Sequence, residues 1–211
     1  MEMVSGQDHR RFLKTHSPLD GLPYYPECHY LVVFRDPRDM FFSMLKHRDN
    51  FTDEELAFAS IPSGEDAFRQ WLDRGFDPKN FDFQSLEWLC HFLQTYWPYR
   101  DLPNIHLFHY SDMKNDLPGH VRKVAGILEV ELTEAQLDEM TAAASFEAMR
   151  AKGDQFAPNA GLGAWKSEKD FFAVGTNAQW KGKLTPEDLA AFESRIRDFL
   201  SEEQIAWLVR G

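Results

Sequence analysis

The sequence predicts an α/β domain in which a parallel sheet is flanked by helices, and three observations carry that prediction. Tyr30–Phe34, YLVVF, is apolar, β-branched or aromatic at its centre and too short for a helix, so it reads as a buried strand. Asp36 and Pro37 follow at once as an N-cap and a first helical residue, with Phe41, Phe42 and Leu45 on one apolar face. A second apolar run, Asn104 to His109, follows a helix-period stretch and leads into further helical periodicity.

Taken in order, Arg11 to Thr15 reads as a short strand ending in Lys14-Thr15-His16-Ser17-Pro18, and a turn follows through Gly21 and Pro23. With the strands near 30–34 and 104–109 it makes a three-stranded expectation. Residues 49–81 are acidic and broken by Pro62, Gly64, Gly75 and Pro78, with helical turns near 53–60 and 65–74. Their aromatics Phe51, Phe58, Phe68, Trp71 and Phe76 suit a packed surface excursion or the wall of an apolar pocket. A long helix is expected from Asp82 to Trp97, with Leu86, Leu89, Cys90, Leu93 and Trp97 on one face. Amphipathic helices follow at 117–129 and 133–143, the second capped by Thr133. Residues 152–182 carry glycines and prolines and read as a loop folding over a site. Helices near 186–199 and 202–209 close the chain.

At 211 residues the chain is expected to form one domain with a core of its own. A net charge of −11 argues against general nucleic-acid or anionic-membrane binding, so an anionic ligand would need a local positive pocket. Cys28 and Cys90 are too few for a disulfide framework, which fits a reduced, cytoplasmic setting. The first residues lack an apolar signal core, and no run approaches membrane-spanning length. No His/Cys/Asp cluster has metal-ligand spacing, and His106 and His109 fall on opposite faces of their strand. No metal is expected.

The stretch Tyr30–Arg48 is where chemistry concentrates. A strand running into a helix N-terminus exposes free backbone N–H groups and the positive end of the helix dipole, an anion site in outline. Arg35 at the mouth would add a guanidinium fork, and Ser43, two turns into the helix, a hydroxyl. An arginine after a strand is also commonly just a solvated or paired residue.

Arg35-Asp36-Pro37-Arg38-Asp39, with Ser43 eight residues after Arg35, resembles the 3′-phosphate motif of the cytosolic-type sulfotransferases that use 3′-phosphoadenosine 5′-phosphosulfate (PAPS). In that family the arginine and serine hold the nucleotide's 3′-phosphate. Lys14-Thr15-His16-Ser17-Pro18 resembles its KTHLP segment, which makes His16 the implied catalytic base and Lys14 a lesser candidate for stabilising charge. Phe108-x-Tyr110-x-Asp112-Met113 looks like its YEDM turn, implying that Tyr110 lines the adenine pocket. Ser145-Phe146-Glu147-Ala148-Met149 resembles its S-F-x-x-M segment, so Ser145 and Phe146 are implied adenine contacts. Gly175-Thr176-Asn177-Ala178-Gln179-Trp180-Lys181 is similar to its G-x-x-G-x-W-K. Ala173-Val174 stand where the family usually has Arg-Lys, and Ala178 stands at the second glycine.

The resemblance implies a P-loop-NTPase-like sulfotransferase fold, truncated at the N-terminus. The family's TYPKSGTTW loop, which cradles the 5′-phosphosulfate, has no counterpart, since neither Ser5-Gly6 nor Ser63-Gly64 carries the preceding lysine or following threonines. The implied reaction moves a sulfuryl group from PAPS to a hydroxyl or amine of a small acceptor, an aromatic or apolar alcohol being suggested by the aromatic content. A relative keeping only the 3′-phosphate and adenine half-site is one rival. A different transferase or hydrolase on an α/β frame, using His16 with an acidic partner such as Asp20, is another, ranked last because no G-x-S-x-G occurs. A homodimer stays open.

Overall fold

A computed structural model of the chain describes residues 6, 8–53, 61–77 and 84–210. Its sheet has two parallel strands, β1 (Tyr30–Phe34) and β2 (Ile105–His109), in register from Tyr30 beside Ile105 to Phe34 beside His109. After β1 come α1 (Pro37–Asn50), α2 (Ala67–Asp73) and α3 (Leu86–Tyr96). After β2 come α4 (Tyr110–Asn115), α5 (Leu117–Ile127), α6 (Glu134–Ala143), α7 (Phe146–Ala151), α8 (Gly153–Phe156), α9 (Pro186–Arg197) and α10 (Glu202–Leu208). The α/β architecture with helices around a parallel sheet is as the sequence predicts.

The third strand is not formed. Residues 11–15 have no regular structure, and Phe12 and Leu13 are 95% and 79% exposed. An extended segment becomes a strand only when a neighbour takes up its N–H and C=O groups, and no such neighbour lies beside it among the described residues. The sheet is also bare on part of one face. Val33 is 55% exposed and Leu31 is exposed too, whereas Phe108 on the same face lies under His120 and Lys123 of α5. A parallel sheet ordinarily has both faces covered.

The other face carries the core. Val32 and Phe34 meet Phe41 of α1, Phe68 and Trp71 of α2, Leu86, Leu89 and Leu93 of α3, and Phe192 and Ile196 of α9, all buried. Phe41 sits edge-on to Phe68 at 5.1 Å and tilted against Trp71 at 5.4 Å. Phe68 and Trp71 are thus core residues rather than pocket walls. Phe51 instead stacks on Trp165 at 4.6 Å, and Phe76 on His91 at 4.7 Å. Phe58 and the expected turn at 53–60 fall largely outside the described residues.

The helix expected from Asp82 begins only at Leu86, because the Ser85 hydroxyl accepts from the Trp88 amide and fixes the N-cap there. Its predicted apolar face is buried from Leu86 to Trp97, although Trp97 belongs to a 3₁₀ turn running into Pro98. Thr133 caps α6 with a full capping box, as its sequence implies.

Candidate active site

Ligands of open α/β sheets bind beyond the carboxyl ends of the strands, and here two adjacent ends supply the first site residues. Because Phe34 pairs with His109, the next residues, Arg35 and Tyr110, are neighbours. The Arg35 guanidinium lies 4.3 Å from the centre of the Tyr110 ring. The resemblance gives Tyr110 to the adenine, and the structure also sets it beneath the arginine.

Behind Arg35, Asp36 caps α1 by accepting from the Arg38 amide at 2.9 Å. The Arg38 side chain returns to the same carboxylate through Nε at 3.0 Å and Nη2 at 2.6 Å. This bidentate pair presses the guanidinium onto Trp180, 3.9 Å from the ring centre. Asp39, 2% exposed, receives the amides of Ala178 at 2.8 Å and Gln179 at 2.6 Å on its two oxygens. Arg35 completes the attachment by donating from Nη2 to the Thr176 carbonyl at 2.6 Å. So Arg35-x-x-Arg38-Asp39 and Thr176–Trp180, some 140 positions apart, form one unit.

The same helix face continues the attachment. Positions 39, 43, 46 and 50 of α1 lie one above another. Lys46 Nζ donates to Gln179 Oε1 at 3.3 Å, and the Asn50 side chain exchanges hydrogen bonds with the Ser167 backbone at 2.8 and 3.0 Å. Ser43 is half-buried on that stripe between Asp39 and Lys46. Half-buried His47 packs on Phe171 at 4.6 Å, and its imidazole is held below its ordinary range, first by burial and then by the charge of Lys14. The segment expected to fold over a site is therefore laid along α1. It includes α8 and a 3₁₀ turn at Lys169–Phe171.

The electrostatic outcome at the mouth is a surplus of positive charge. Arg35 is 3.7 Å from Asp39, but both Asp39 oxygens already accept backbone amides. The Nε of Arg35 is buried without a hydrogen-bond partner among the described residues. A buried charged donor left unmade costs stability, so its retention points to a ligand acceptor. The Lys46 ammonium is held below its ordinary range by partial burial and by repulsion from Lys183 and Arg35, in that order.

The closing loop explains its two glycine-pattern positions differently. Gly175 is buried against Phe146: a Cβ there would lie 2.5 Å from the ring, so the residue marks a close approach. Ser145 caps α7, accepting from Ala148 at 3.2 Å and donating to Ala142 at 2.8 Å, and this aims Phe146 at that approach. Ala178 has φ of +56°, the left-handed region in which a side chain costs about 1–2 kcal/mol. Ala178→Gly should therefore raise the unfolding free energy by about 1 kcal/mol, less the extra chain entropy of glycine, as urea denaturation can measure. A variant less stable than the parent would show that this backbone is not strained.

Lys14 and His16 are exposed in the irregular segment before the turn at Leu19–Gly21. Thr15 accepts from the Ser17 amide at 3.0 Å, a local turn at the place where a strand end was expected. Asp20 pairs with His91 at 3.0 Å, which takes from the hydrolase reading the acid it assigned to His16. Asp39, Lys46 and Gln179 were not singled out from sequence. Asp39 and Lys46 had a readable signal, their four- and three-residue spacing from Ser43 on one helix face.

Paired strand ends, an arginine beside them and a glycine-bearing loop fastened over them make a candidate anion site on an α/β frame. The chain belongs to the sulfotransferase-domain family, whose profile matches residues 1–204. A glycolipid sulfotransferase of Mycobacterium bovis is 31% identical over 237 residues, spanning 99% of this chain and 72% of the relative. Human sulfotransferase 6B1 is 27% identical, spanning 95% of this chain and 61% of that protein. Among solved structures, mouse sulfotransferase SULT7A1 complexed with PAP superposes with a TM-score of 0.77 at 16% identity, over 99% of this chain and 72% of its own. Retinol dehydratase in complex with androsterone and PAP gives 0.74 at 22% identity, over 95% and 57%. These two likenesses are of fold. No helix among the described residues is long and apolar enough to cross a membrane.

Proposed function

We propose that the chain is a PAPS-dependent sulfotransferase, acting as a single domain on a hydroxyl or amine of a small aromatic or apolar acceptor. The observation that carries this reading is Arg35, whose Nε is buried and unpartnered while its nearest acid is committed to the loop amides. The donor set fits a phosphate: a guanidinium, the Ser43 hydroxyl and the N-terminus of α1 all favour negative charge. The close approach of Gly175 to Phe146 suits a flat ring bounded by that phenyl. Ser145 and Tyr110 belong to the same proposed nucleotide site.

The donor supplies one transferable sulfuryl group, which ends on the acceptor oxygen or nitrogen as adenosine 3′,5′-bisphosphate is released. In this reading His16 takes the acceptor proton as that bond forms, and Lys14 adds positive charge nearby. Arg35 and Ser43 orient the nucleotide through its 3′-phosphate, far from the reacting atoms, so their contribution is binding and alignment. A reduced, cytoplasmic setting is part of the proposal, supported by the unpaired Cys28 and by Cys90, whose thiol burial pushes up to about 12.

The second reading is a nucleotide-binding relative without transfer, which keeps the 3′-phosphate and adenine half-site of Arg35, Ser43, Tyr110, Ser145 and Phe146. Turnover with PAPS and a phenol separates the two. The 3′-phosphate half of the proposal is tested by calorimetric titration of adenosine 3′,5′-bisphosphate against adenosine 5′-monophosphate. Hydrogen bonds to a charged partner contribute about 1.5–3 kcal/mol, so Arg35→Ala should weaken bisphosphate binding by roughly ten- to a hundredfold and leave the monophosphate unchanged. Equal affinity of the parent for both nucleotides would refute the assignment.

A further inference from the structure

We propose that Lys46 is a second cationic contact to the 3′-phosphate, supplying from helix α1 the charge that residues 173–174 of the closing loop do not carry. The inference rests on the nucleotide reading above and names a specificity residue for it. Lys46 stands three residues after Ser43 on the face of α1 that meets the loop, so both side chains address the same side. Its ammonium is joined to Arg35 through a single side chain. Gln179 accepts from Lys46 at 3.3 Å and donates to the Thr176 carbonyl at 3.2 Å, the same oxygen that Arg35 holds.

Two further features fit an anion rather than a structural lysine. Lys46 lines a groove of about 380 Å³ with Asp49, Asn50, Asp170, Ala173 and Val174, so the uncharged loop positions and the lysine share one space. Of the two acids there, Asp49 pairs with Arg48 at 2.6 Å and Asp170 with Arg150 at 3.3 Å. Among the described residues the ammonium's hydrogen-bond partner is thus a neutral amide oxygen, which leaves two of its three donors for a ligand. Lys183, over the Phe42 ring at 4.6 Å, adds a third positive charge to the neighbourhood. Partial burial lowers the Lys46 ammonium first, and repulsion from Lys183 and Arg35 lowers it further. A doubly charged phosphate among them would relieve that repulsion.

The test is the ratio of affinities for adenosine 3′,5′-bisphosphate and adenosine 5′-monophosphate, measured by calorimetry on the full chain. Lys46→Gln should lower the preference about tenfold with monophosphate affinity unchanged, and Lys46→Arg should keep it. Val174→Lys placed on the Lys46→Gln background should return most of the loss. Lys183→Gln, on a different element, should reduce the preference about threefold and serves if Lys46→Gln fails to fold. If Arg35→Ala abolishes the preference while the lysine variants leave it intact, Lys46 is wrong and the nucleotide reading stands. If the parent chain has no preference, both are overturned.

Discussion

His16→Ala should lower sulfuryl transfer by about two to four orders of magnitude, the range that a positioned general base contributes. Adenosine bisphosphate affinity should change little, because the residues proposed to hold the nucleotide lie on α1, α7, the strand ends and the closing loop. His16 is exposed, so the substitution removes no core contact and the fold should survive it. The local turn through Thr15 and Ser17 and the burial of Pro18 hold the segment in the absence of strand pairing. Steady-state turnover with PAPS and a phenolic acceptor, beside a calorimetric titration, separates chemistry from binding. A variant turning over at close to the parent rate would remove His16 from the mechanism.

Asp39→Ala should be the most damaging substitution at the nucleotide end. It leaves the Ala178 and Gln179 amides unpaired and strips Arg35 of the acid it pairs with. Removing one partner from a buried charged network costs about 3–5 kcal/mol. The Ala178 backbone is already strained, so the loop has little to hold it once those hydrogen bonds go. Bisphosphate affinity should fall by more than a hundredfold, since about 3 kcal/mol corresponds to that factor. Urea unfolding and titration of the same sample would check both expectations. Asp39→Asn keeps one acceptor and should lie between. Unchanged stability and affinity in Asp39→Ala would mean that the loop is fastened elsewhere.

Much of the site could be read from sequence because its parts are local. A strand running into an Asp-Pro helix start is encoded by neighbouring residues, and so is the Thr133 cap. The Arg35, Ser43, Tyr110, Phe146 and Gly175 motifs each lie within a few residues. The strand expected at 11–15 failed for the opposite reason. Its composition suited extension, but strand formation depends on a partner that no local pattern specifies, and Phe12 and Leu13 remain in solvent. The helix start at Leu86 rather than Asp82 is a smaller case, decided by one hydroxyl.

By itself, then, the sequence determined the α/β class, the order of most helices and the residues that resemble a phosphate site. Short-range physics is sufficient for these: apolar periodicity, capping and the restricted backbone of proline. Only the tertiary structure decided that Asp39 spends its carboxylate on loop amides 139 and 140 positions away, that Arg35 is left with a buried orphan donor, and that Lys46 shares a groove with Ala173 and Val174. Charge balance is a property of whatever the folded chain brings within a few ångströms, and no spacing along the sequence records it.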